Sequence, residues 1–547
     1  MTLGSDCSLK ILTIRSLKLN KTNHHIPTPV LILMSGILMG LTPAPVGAWF
    51  LGWVALAPLW LLVVQESKQL KEKKEKKFLP LTALLWGIGY HGVALFWITG
   101  VHPMTWMGVP WLASLAIAFF CWVFITLWGA ALVAIWATCF FWINRKFKVS
   151  TLVRVLTGTA LWCILETIWS AGSLWWSSLS YTQSPNNLAI LHLAQLAGPS
   201  AVTAALVAVN GLIAEAWIKA KNHPVKGIKA NILVYLLPVS LCLFLHLLGF
   251  SLYSRPLAQP PADALKVGII QGNIPNTIKL YQEGWLRAIE GYTTGYRMLA
   301  DQGVDAILTP ETALPVKWLE SNGIRDELYQ AILDKNVLAW VGAFGETGNS
   351  FTNSLFTVTG AGETFSRYDK IKLVPLGEFI PFGEVLGRLI DRLSPLDAHL
   401  AAGLPTQVFD TPFGRAIVGI CYESAFSYHF QRQAALGGQF ILTASNNAHY
   451  SPSMPAQHHA QDVMRAIETD RWAVRATNTG YSGIVDPHGK TVWISGINTY
   501  EIHAATIYRR HTQTLYVRWG DWLTPALFGL VAMACFFDFR TRMSVGS

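Results

Sequence analysis

The stretch Val418-Gly-Ile-Cys421-Tyr-Glu-Ser424 decides how the second half of this chain is interpreted. A short β-branched run leads into a cysteine, and a carboxylate, Glu423, follows two residues later. Strand ends that deliver a polar residue into a turn are common places for chemistry. A single thiol in such a place is either a small buried hydrophobe or a nucleophile, and both interpretations stay open on this stretch alone.

The other cysteines give Cys421 no local disulfide partner. The chain has seven cysteines, of which Cys7 lies in the N-terminal tail. Those in strongly apolar runs are Cys121, Cys139, Cys163, Cys242 and Cys535. Cys421 is therefore the only cysteine in the long polar part of the sequence.

The composition indicates a membrane part joined to a globular part. Of the 547 residues, 52% are hydrophobic and 14% are charged, which is too apolar for a soluble enzyme and too polar for a pure membrane bundle. The formal charge of +10 is better explained by membrane topology than by nucleic acid. We find no Walker loop, zinc-ligand spacing or dinucleotide fingerprint, so we expect no cofactor, no metal and no nucleic acid partner.

Apolar segments predict a polytopic α-helical bundle of about eight spans. A basic cytoplasmic tail (1–26) precedes seven spans within 27–253, and an eighth span lies at 522–538. Most segments reach the ~20 residues that a bilayer crossing needs. The first seven lie at about 27–44, 45–65, 79–100, 111–142, 155–172, 188–218 and 231–253. A signal peptide cleaved after Ala48 is the alternative for the first segment, but the long N-terminal region favours an uncleaved anchor.

Loop charges predict the orientation of this bundle. Lysine and arginine are concentrated in the loops 66–77, 143–154 and 219–229, whereas 101–110 and 173–187 contain neither. This alternation follows the positive-inside rule. It places the N-terminus inside and the residues after about 254 outside.

From residue 264 the pattern changes to an α/β domain, which we expect to span 264–518. Short apolar runs predict strands, and amphipathic stretches between them predict helices. The strands are expected at 265–272, 304–309, 337–343, 416–420 and 440–443, and the helices at 276–301, 324–335 and 455–476. A hairpin is expected at 485–492, with its turn at Pro487-His-Gly. Strands alternating with helices over this length imply one extracytoplasmic α/β domain.

Three polar residues lie at strand ends or in adjacent loops: Glu311, Lys370 and Cys421. A thiol nucleophile needs a base, and the carbonyl that it attacks needs a cation or hydrogen-bond donors for the developing oxyanion. These three residue types together supply both. Taken singly, a strand-end glutamate or a loop lysine is usually only solvated.

In local sequence the three resemble the signatures of the nitrilase superfamily. The matching stretches are Thr309-Pro-Glu-Thr312, Tyr368-Asp-Lys370 followed by Leu373-Val-Pro-Leu-Gly-Glu378, and Gly419-Ile-Cys-Tyr-Glu423. The resemblance implies an α-β-β-α sandwich. It also implies Glu311 as general base, Lys370 as the oxyanion-side cation and Cys421 as nucleophile. Glu378 matches a further essential acid, and Tyr422 and Glu423 match the usual neighbours of the cysteine.

Together with the polytopic N-terminal half, Gln271-Gly-Asn-Ile-Pro275 resembles the membrane-anchored N-acyltransferases of that superfamily. The resemblance implies transfer of a fatty acyl chain from a membrane phospholipid, through a Cys421 thioester, to the α-amine of a diacylglyceryl-modified apolipoprotein. It further implies a monomer in the bacterial inner membrane with its catalytic domain on the periplasmic side. Leu280, Asn447 and His449 depart from the usual pattern of these enzymes, which affects the expected substrate contacts rather than the chemistry.

Two rival functions remain: a membrane-tethered amidase that uses water as acceptor, and a transporter whose external domain only binds ligand. The transporter is disfavoured because the spans show no paired broken helices and few charges. Within the spans, Glu166 is either functional or, as we favour, a hydrogen-bonded interfacial group.

Other features have competing interpretations. His449, His458 and His459 suggest either a metal or, as we favour, a helix start. Trp175-Trp176 is typical of an interfacial belt. Residues 382–393 have a one-sided apolar face, which belongs to a core-packed helix or, as we prefer, to a mobile arm at the membrane interface.

Overall fold

The structure, a computed structural model, describes residues 27–69, 79–147, 149–222, 228–320, 323–375, 377–379 and 400–545. It has a helical half followed by an α/β region and a C-terminal helix. The predicted helix at 382–393 lies outside the described residues.

Helices occupy every segment in which the sequence predicts a span. Their bounds are Thr28–Gly40 (α1), Ala57–Gln69 (α2), Leu79–Ala94 (α3), Trp111–Lys146 (α4), Thr151–Ala171 (α5), Leu188–Leu191 (α6), Ala194–Ala197 (α7), Pro199–Asn222 (α8), Ile228–Tyr253 (α9) and, after the α/β region, Leu523–Val545 (α16). Within the described residues, 5 helical segments are long and apolar enough to cross a membrane. Two further apolar stretches, Thr28–Gly40 and Leu523–Phe537, are shorter than these. The membrane bundle is thus present, and the count of eight spans stays a prediction.

Small residues bring helix backbones together inside the bundle. Gly36 and Gly40 lie one turn apart on α1, where α1 crosses α3. A Cβ atom at Gly36 would lie 2.1 Å from the carbonyl oxygen of Trp86, so only glycine permits this approach. The contact fixes α3, whose C-terminal end leads into a loop that reaches the candidate site.

The α/β region contains two six-stranded sheets. In the first, the strand order is β12-β1-β2-β3-β4-β5, and in the second it is β11-β10-β9-β8-β7-β6. Strands β1 to β3 run parallel, as do β7 to β9. The bounds are Ala264–Gln271 (β1), Ala306–Leu308 (β2), Leu338–Thr347 (β3), Ser350–Val358 (β4), Thr364–Asp369 (β5), Phe409–Thr411 (β6), Gly414–Ile420 (β7), Phe440–Ser445 (β8), Ala473–Thr477 (β9), Gly483–Val485 (β10), Thr491–Ile494 (β11) and Glu501–Tyr508 (β12).

Helices cover the outer face of each sheet, which completes the expected α-β-β-α sandwich. Alternate residues of the strands, such as Val267, Trp340, Val418 and Val474, form one buried core between the sheets. The helices of this region are Asn276–Lys279 (α10), Gln282–Asp301 (α11), Gly323–Lys335 (α12), Ser427–Ala435 (α13), Ser453–Thr469 (α14) and Leu515–Trp519 (α15). Side chains of α13 and α14 also belong to the core of the helical half. The second sheet is therefore joined to the bundle through its covering helices.

The helix predicted at 455–476 is wrong at its C-terminal end. The helix α14 ends at Thr469, where Asp470 adopts a left-handed conformation with φ of 56°, and residues 473–477 form strand β9. Nearly every residue of α14 is buried, because it packs against both the sheet and the bundle. Asp470 takes the left-handed position that glycine usually occupies after a helix, and a similar mixture of apolar and charged residues continues beyond it, so the sequence does not mark this end. The predicted helix 276–301 is likewise divided, into α10 and α11.

Candidate active site

Cys421 lies at the carboxyl end of β7, at a strained backbone turn. Its φ is +52°, a left-handed value that a non-glycine residue adopts only at an energetic cost. The imidazole Nε2 of His458 lies 2.6 Å from the carbonyl oxygen of Cys421, which holds the turn in place. The side chain is 6% exposed, and its Sγ lies 3.8 Å from the carbonyl oxygen of Asn446. The thiol is thus presented by a constrained turn beyond the end of a parallel strand, where ligand sites of α/β folds form.

Lys370 joins two buried carboxylates beside this turn. Its Nζ donates to Glu311 Oε1 and to Glu378 Oε1, each at 2.9 Å. Asn353 Nδ2 donates to the same two oxygens at 2.7 and 3.0 Å. The backbone N–H of Val374 donates to the second oxygen of Glu378 at 2.8 Å. The structure therefore brings together three of the predicted site residues in one hydrogen-bonded cluster.

Electrostatics in this cluster keep the acid ionised and the thiol protonated. Burial alone would raise the pKa of Glu311, but attraction to the Lys370 ammonium outweighs burial and holds that pKa below its usual value. Burial opposes the charge of Lys370, yet Glu311 and Glu378 raise its pKa well above the usual value. Burial, reinforced by the charge of Glu311, raises the pKa of the Cys421 thiol to about 12. The resting state is a thiol beside an ionised carboxylate.

Glu423 ties the cysteine turn to the segment that carries Lys370. Its carboxylate is fully buried and accepts from the backbone N–H groups of Ile420, Ile371 and Lys372 at 2.8, 2.7 and 3.0 Å. The hydroxyl of Tyr368 donates to it at 3.0 Å. One carboxylate thus fixes the residue before Cys421 and the residues after Lys370.

Glu423→Gln should therefore destabilise the protein. A glutamine would place an N–H₂ group where the backbone N–H groups and the Tyr368 hydroxyl need an acceptor. Loss of hydrogen bonds to a charged group costs about 2–3 kcal/mol. In a domain of this size we expect the melting temperature to fall by roughly 4–12 °C. Thermal unfolding in detergent measures this. Glu283→Gln is the control, since Glu283 pairs with Arg287 on the surface. An unchanged melting temperature for Glu423→Gln would contradict the assigned role.

Tyr422 faces the helical half. Its hydroxyl lies 2.6 and 2.8 Å from the carbonyl oxygens of Ser173 and Trp175, and it accepts from the backbone N–H of Trp175 at 3.0 Å. The ring of Trp176 stacks on that of Tyr422, with an interplanar angle of 4°. The residue after Cys421 is therefore held by a loop of the helical half.

Trp175 and Trp176 are not part of an interfacial belt, and that prediction is wrong. Each is 7% exposed and packs with Phe426 in a cluster between the two halves. Trp176 Nε1 donates to Gln457 on α14 at 2.7 Å, and Trp97 Nε1 donates to the same oxygen at 3.1 Å. A tryptophan pair between apolar helices gives the same pattern in sequence whether lipid or another domain covers it.

Glu166 anchors the loop that carries these tryptophans. Its carboxylate, buried in the protein, accepts from Trp162 Nε1, the backbone N–H of Leu179, and the hydroxyls of Ser178 and Thr203 at 2.8–3.1 Å. The hydrogen-bonded role expected for Glu166 is confirmed. Its position is inside the protein rather than at the lipid interface.

The histidines separate into individual roles. His458, on α14, contacts Cys421 as described, and His459 Nε2 lies 2.9 Å from the hydroxyl of Thr491. His449 contacts Asn276, and Trp106 from a bundle loop stacks on it. Asn447 donates to the sulfur of Met454 at 3.3 Å. Asn447 and His449, two of the three departures from the usual pattern, thus follow Asn446, whose carbonyl contacts the Cys421 thiol. The third, Leu280, follows the end of α10.

Sequence reasoning missed Asn353, His458 and Lys279 as site residues. Asn353 lies on β4, a strand that the sequence analysis did not predict. His458 was considered only as a metal ligand or helix start. Lys279 lies at the end of α10, with its side chain 6% exposed and its Nζ 3.1 Å from the carbonyl oxygen of Glu311. Each becomes visible only when distant segments meet.

Comparison with known proteins first establishes the class of the α/β region. Residues 266–515 match the family described as carbon-nitrogen hydrolase, so this region is a nitrilase-type catalytic domain, as its resemblance implied. Among solved structures, an amidase of the nitrilase superfamily from Nesterenkonia is similar with a TM-score of 0.37 and 17% identity, over 47% of this chain and 95% of that one.

The family match of the helical half and similar whole proteins identify the family of the entire chain. Residues 35–212 match the apolipoprotein N-acyltransferase N-terminal domain. Apolipoprotein N-acyltransferase from Nostoc sp. is 61% identical over 492 residues, covering 90% of this chain and 96% of that protein. The enzyme of that name from Synechocystis sp. is 51% identical, covering 91% and 98%. The chain belongs to the apolipoprotein N-acyltransferase family. It is an acyltransferase, and the amidase alternative is not favoured.

Proposed function

We propose that this protein transfers a fatty acyl chain from a membrane phospholipid to the α-amino group of a diacylglyceryl-cysteine at the N-terminus of an apolipoprotein. The observation that carries the proposal is the buried thiol of Cys421 on its strained turn, beside the Glu311–Lys370 pair. The reaction proceeds in two half-reactions through a thioester on Cys421. This is the logic of ping-pong covalent catalysis.

In the first half-reaction, Glu311 takes the proton of the Cys421 thiol as the sulfur attacks the ester carbonyl of the phospholipid. The high pKa of the free thiol means that proton transfer accompanies attack rather than preceding it. Lys370 stabilises the oxyanion on the former carbonyl oxygen. Collapse breaks the carbon–oxygen bond, and Glu311 returns the proton to the departing lysophospholipid.

In the second half-reaction, the neutral amine of the acceptor attacks the thioester carbonyl. Lys370 again faces the oxyanion, the carbon–sulfur bond breaks, and the proton lost by the nitrogen passes by way of Glu311 to the sulfur of Cys421. An amide forms and the enzyme returns to its starting state. Glu378 and Asn353 position Lys370 and Glu311 through the hydrogen bonds described above.

The contact between the two halves supports a site at the membrane surface. The external loops that reach the catalytic region, at 95–107 and 173–183, contain no lysine or arginine. Trp97 and Trp176 from these loops meet Gln457, and Trp175 meets Tyr422. Both substrates are anchored in lipid, so a catalytic site held against the bundle ends gives their reacting groups access without leaving the membrane. We assign this side to the periplasm.

Product analysis tests the proposed function. Purified protein in detergent, supplied with phospholipid and a diacylglyceryl-cysteine peptide, should yield N-acylated peptide and lysophospholipid in equal amounts. The control is the same peptide with its α-amine acetylated, which should yield no product. Release of free fatty acid at the same rate with either peptide would identify a hydrolase and overturn the proposal.

The assigned orientation predicts the behaviour of topology reporters. A reporter that works only outside the cytoplasm should be active when fused near Pro260, because the loop charges place that position outside. Fusions in loop 66–77 and after Arg542 should be inactive. Activity of the reporter in the opposite pattern would contradict the periplasmic assignment.

A further inference from the structure

Lys279 brings a second amine into the catalytic cluster. It ends the short helix α10, directly after the Gln271–Pro275 segment, and its Nζ donates to the backbone carbonyl of Glu311 at 3.1 Å. The side chain is 6% exposed. Among the described residues, this carbonyl is the only hydrogen-bond acceptor that Lys279 reaches. An ammonium carries three donors, so the group has capacity for a further partner.

The surroundings of Lys279 differ from those of Lys370. Lys370 is fixed between two carboxylates, which keeps it charged. Lys279 forms no ion pair within the described part of the chain, although Glu311 and Cys421 act on it through space and it in turn acts on His449. Burial lowers the pKa of Lys279 to about 8, against the attraction of Glu311 and Cys421. This lysine can thus lose its proton near neutral pH.

The second half-reaction needs a base that removes a proton from the acceptor ammonium, and the Glu–Lys–Cys cluster does not supply one by itself. An N-terminal α-amine has a pKa of about 7.7–8.0, so much of the acceptor arrives as an ammonium without a lone pair. In the acyl-enzyme the sulfur carries the acyl group and cannot accept this proton. Glu311 is a weak base, because its ion pair with Lys370 keeps it ionised. A base whose proton affinity matches that of the α-amine accepts the surplus proton with little cost.

We propose that Lys279 is a catalytic residue of the second half-reaction, in which its neutral amine takes a proton from the α-ammonium of the lipoprotein acceptor. This rests on the proposed function. The acceptor nitrogen, now neutral, forms the bond to the thioester carbon, and the carbon–sulfur bond breaks. The second proton lost by that nitrogen goes by way of Glu311 to the sulfur, which leaves a thiol. Lys279, left as an ammonium, returns its proton to solvent.

Two variants test this assignment. Lys279→Met removes the amine, whereas Lys279→Arg keeps the cation and a donor for the Glu311 carbonyl but accepts no proton near neutral pH. Single-turnover mixing separates the half-reactions. Transfer to the peptide should fall on the order of 100-fold in both variants, and in Lys279→Arg by a much larger factor than thioester formation from phospholipid. Lys266→Met is the control, since Lys266 Nζ also donates to a backbone carbonyl, that of Gln302, away from the site.

A change of nucleophile distinguishes proton transfer from a structural role. Hydroxylamine is largely neutral at pH 7, so its attack on the preformed thioester should be equally fast in wild type and in Lys279→Arg. Transfer to the peptide by the variants should increase with pH through the range in which the free α-amine loses its proton, and approach the wild-type rate. Equal losses with hydroxylamine and peptide would overturn the proposal, as would a wild-type rate of peptide transfer in both variants. Absence of a thioester in the wild-type protein would instead refute the proposed function.

Discussion

Replacing Cys421 with alanine will abolish both the acyl-enzyme and the N-acylated product. The residue supplies the only protein atom that bonds to the acyl group in the proposed path, so without it the acyl-enzyme cannot form. Loss of a covalent nucleophile lowers turnover on the order of 10⁴-fold or more. Mass spectrometry of the protein after incubation with phospholipid, together with product analysis, measures both effects.

Cys421→Ser should give the same result, although it keeps a hydroxyl. The proton affinity of a serine hydroxyl is far above that of a thiol, and Glu311 is a weak base in its ion pair with Lys370. Cys242→Ala is a matched control, because Cys242 is a partly buried cysteine of α9. Both Cys421 variants should remain folded by thermal unfolding. Acyl-enzyme formed by either folded variant would show that another residue is the nucleophile.

Replacing Lys370 with methionine should have the second largest effect. Two carboxylates, Glu311 and Glu378, would be left facing each other in a buried site without their cation. Removal of one partner of a buried pair costs about 3–5 kcal/mol, which these groups can relieve only by taking up a proton. Protonation of Glu311 removes the base and the missing ammonium removes the oxyanion partner, so we expect acylation to fall on the order of 10³-fold or more.

The pH dependence gives this variant a distinct signature. In the wild-type protein the pKa of Glu311 lies below its ordinary value of 4.5. Such a carboxyl adds stability above the unfolded pKa, and that stability is lost as the pH falls through the folded pKa. Without Lys370, burial raises the pKa, so the variant should lose stability as the pH rises. The stability of the two proteins should thus diverge with increasing pH.

Lys372→Met is the control for the Lys370 variant. Lys372 lies two residues away, and its ammonium sits over the rings of Phe426 and Tyr428. Its side chain can change without disturbing the carboxylates, although its backbone N–H still donates to Glu423. If the two variants had the same acylation rate and the same dependence of stability on pH, Lys370 would be excluded from the chemistry.

Local patterns in the sequence predicted β1, β2, β3, β7, β8 and the β10–β11 hairpin, but not β4, β5, β9 or β12. The β-branched run before Cys421 became strand β7, and the hairpin around Pro487 formed as β10 and β11. Glu311, Lys370 and Glu378 meet because each follows a strand that ends at the same edge of the sandwich. The resemblance to nitrilases added their expected roles, which local patterns alone left open.

The elements that sequence reasoning missed are those whose surroundings come from distant parts of the chain. The start of β9 was missed because its pairing with β8 and β10, rather than a break in the sequence pattern after α14, makes it a strand. Trp176 resembles a lipid-facing tryptophan until Tyr422, from a segment nearly 250 residues later, is stacked on it. Asn353 gains significance only through two carboxylates on other segments. Tertiary contact, rather than local propensity, determines each of these.

The mass of the intact protein after incubation with a phospholipid of a single acyl composition tests the central claim most directly. The account predicts one added acyl group per chain, located on Cys421, sensitive to hydroxylamine and removed when the diacylglyceryl-cysteine peptide is added. The acyl group should then appear on the α-amine of that peptide. An acyl group on another residue, or a Cys421 thioester that persists in the presence of the peptide while free fatty acid accumulates, would contradict the account.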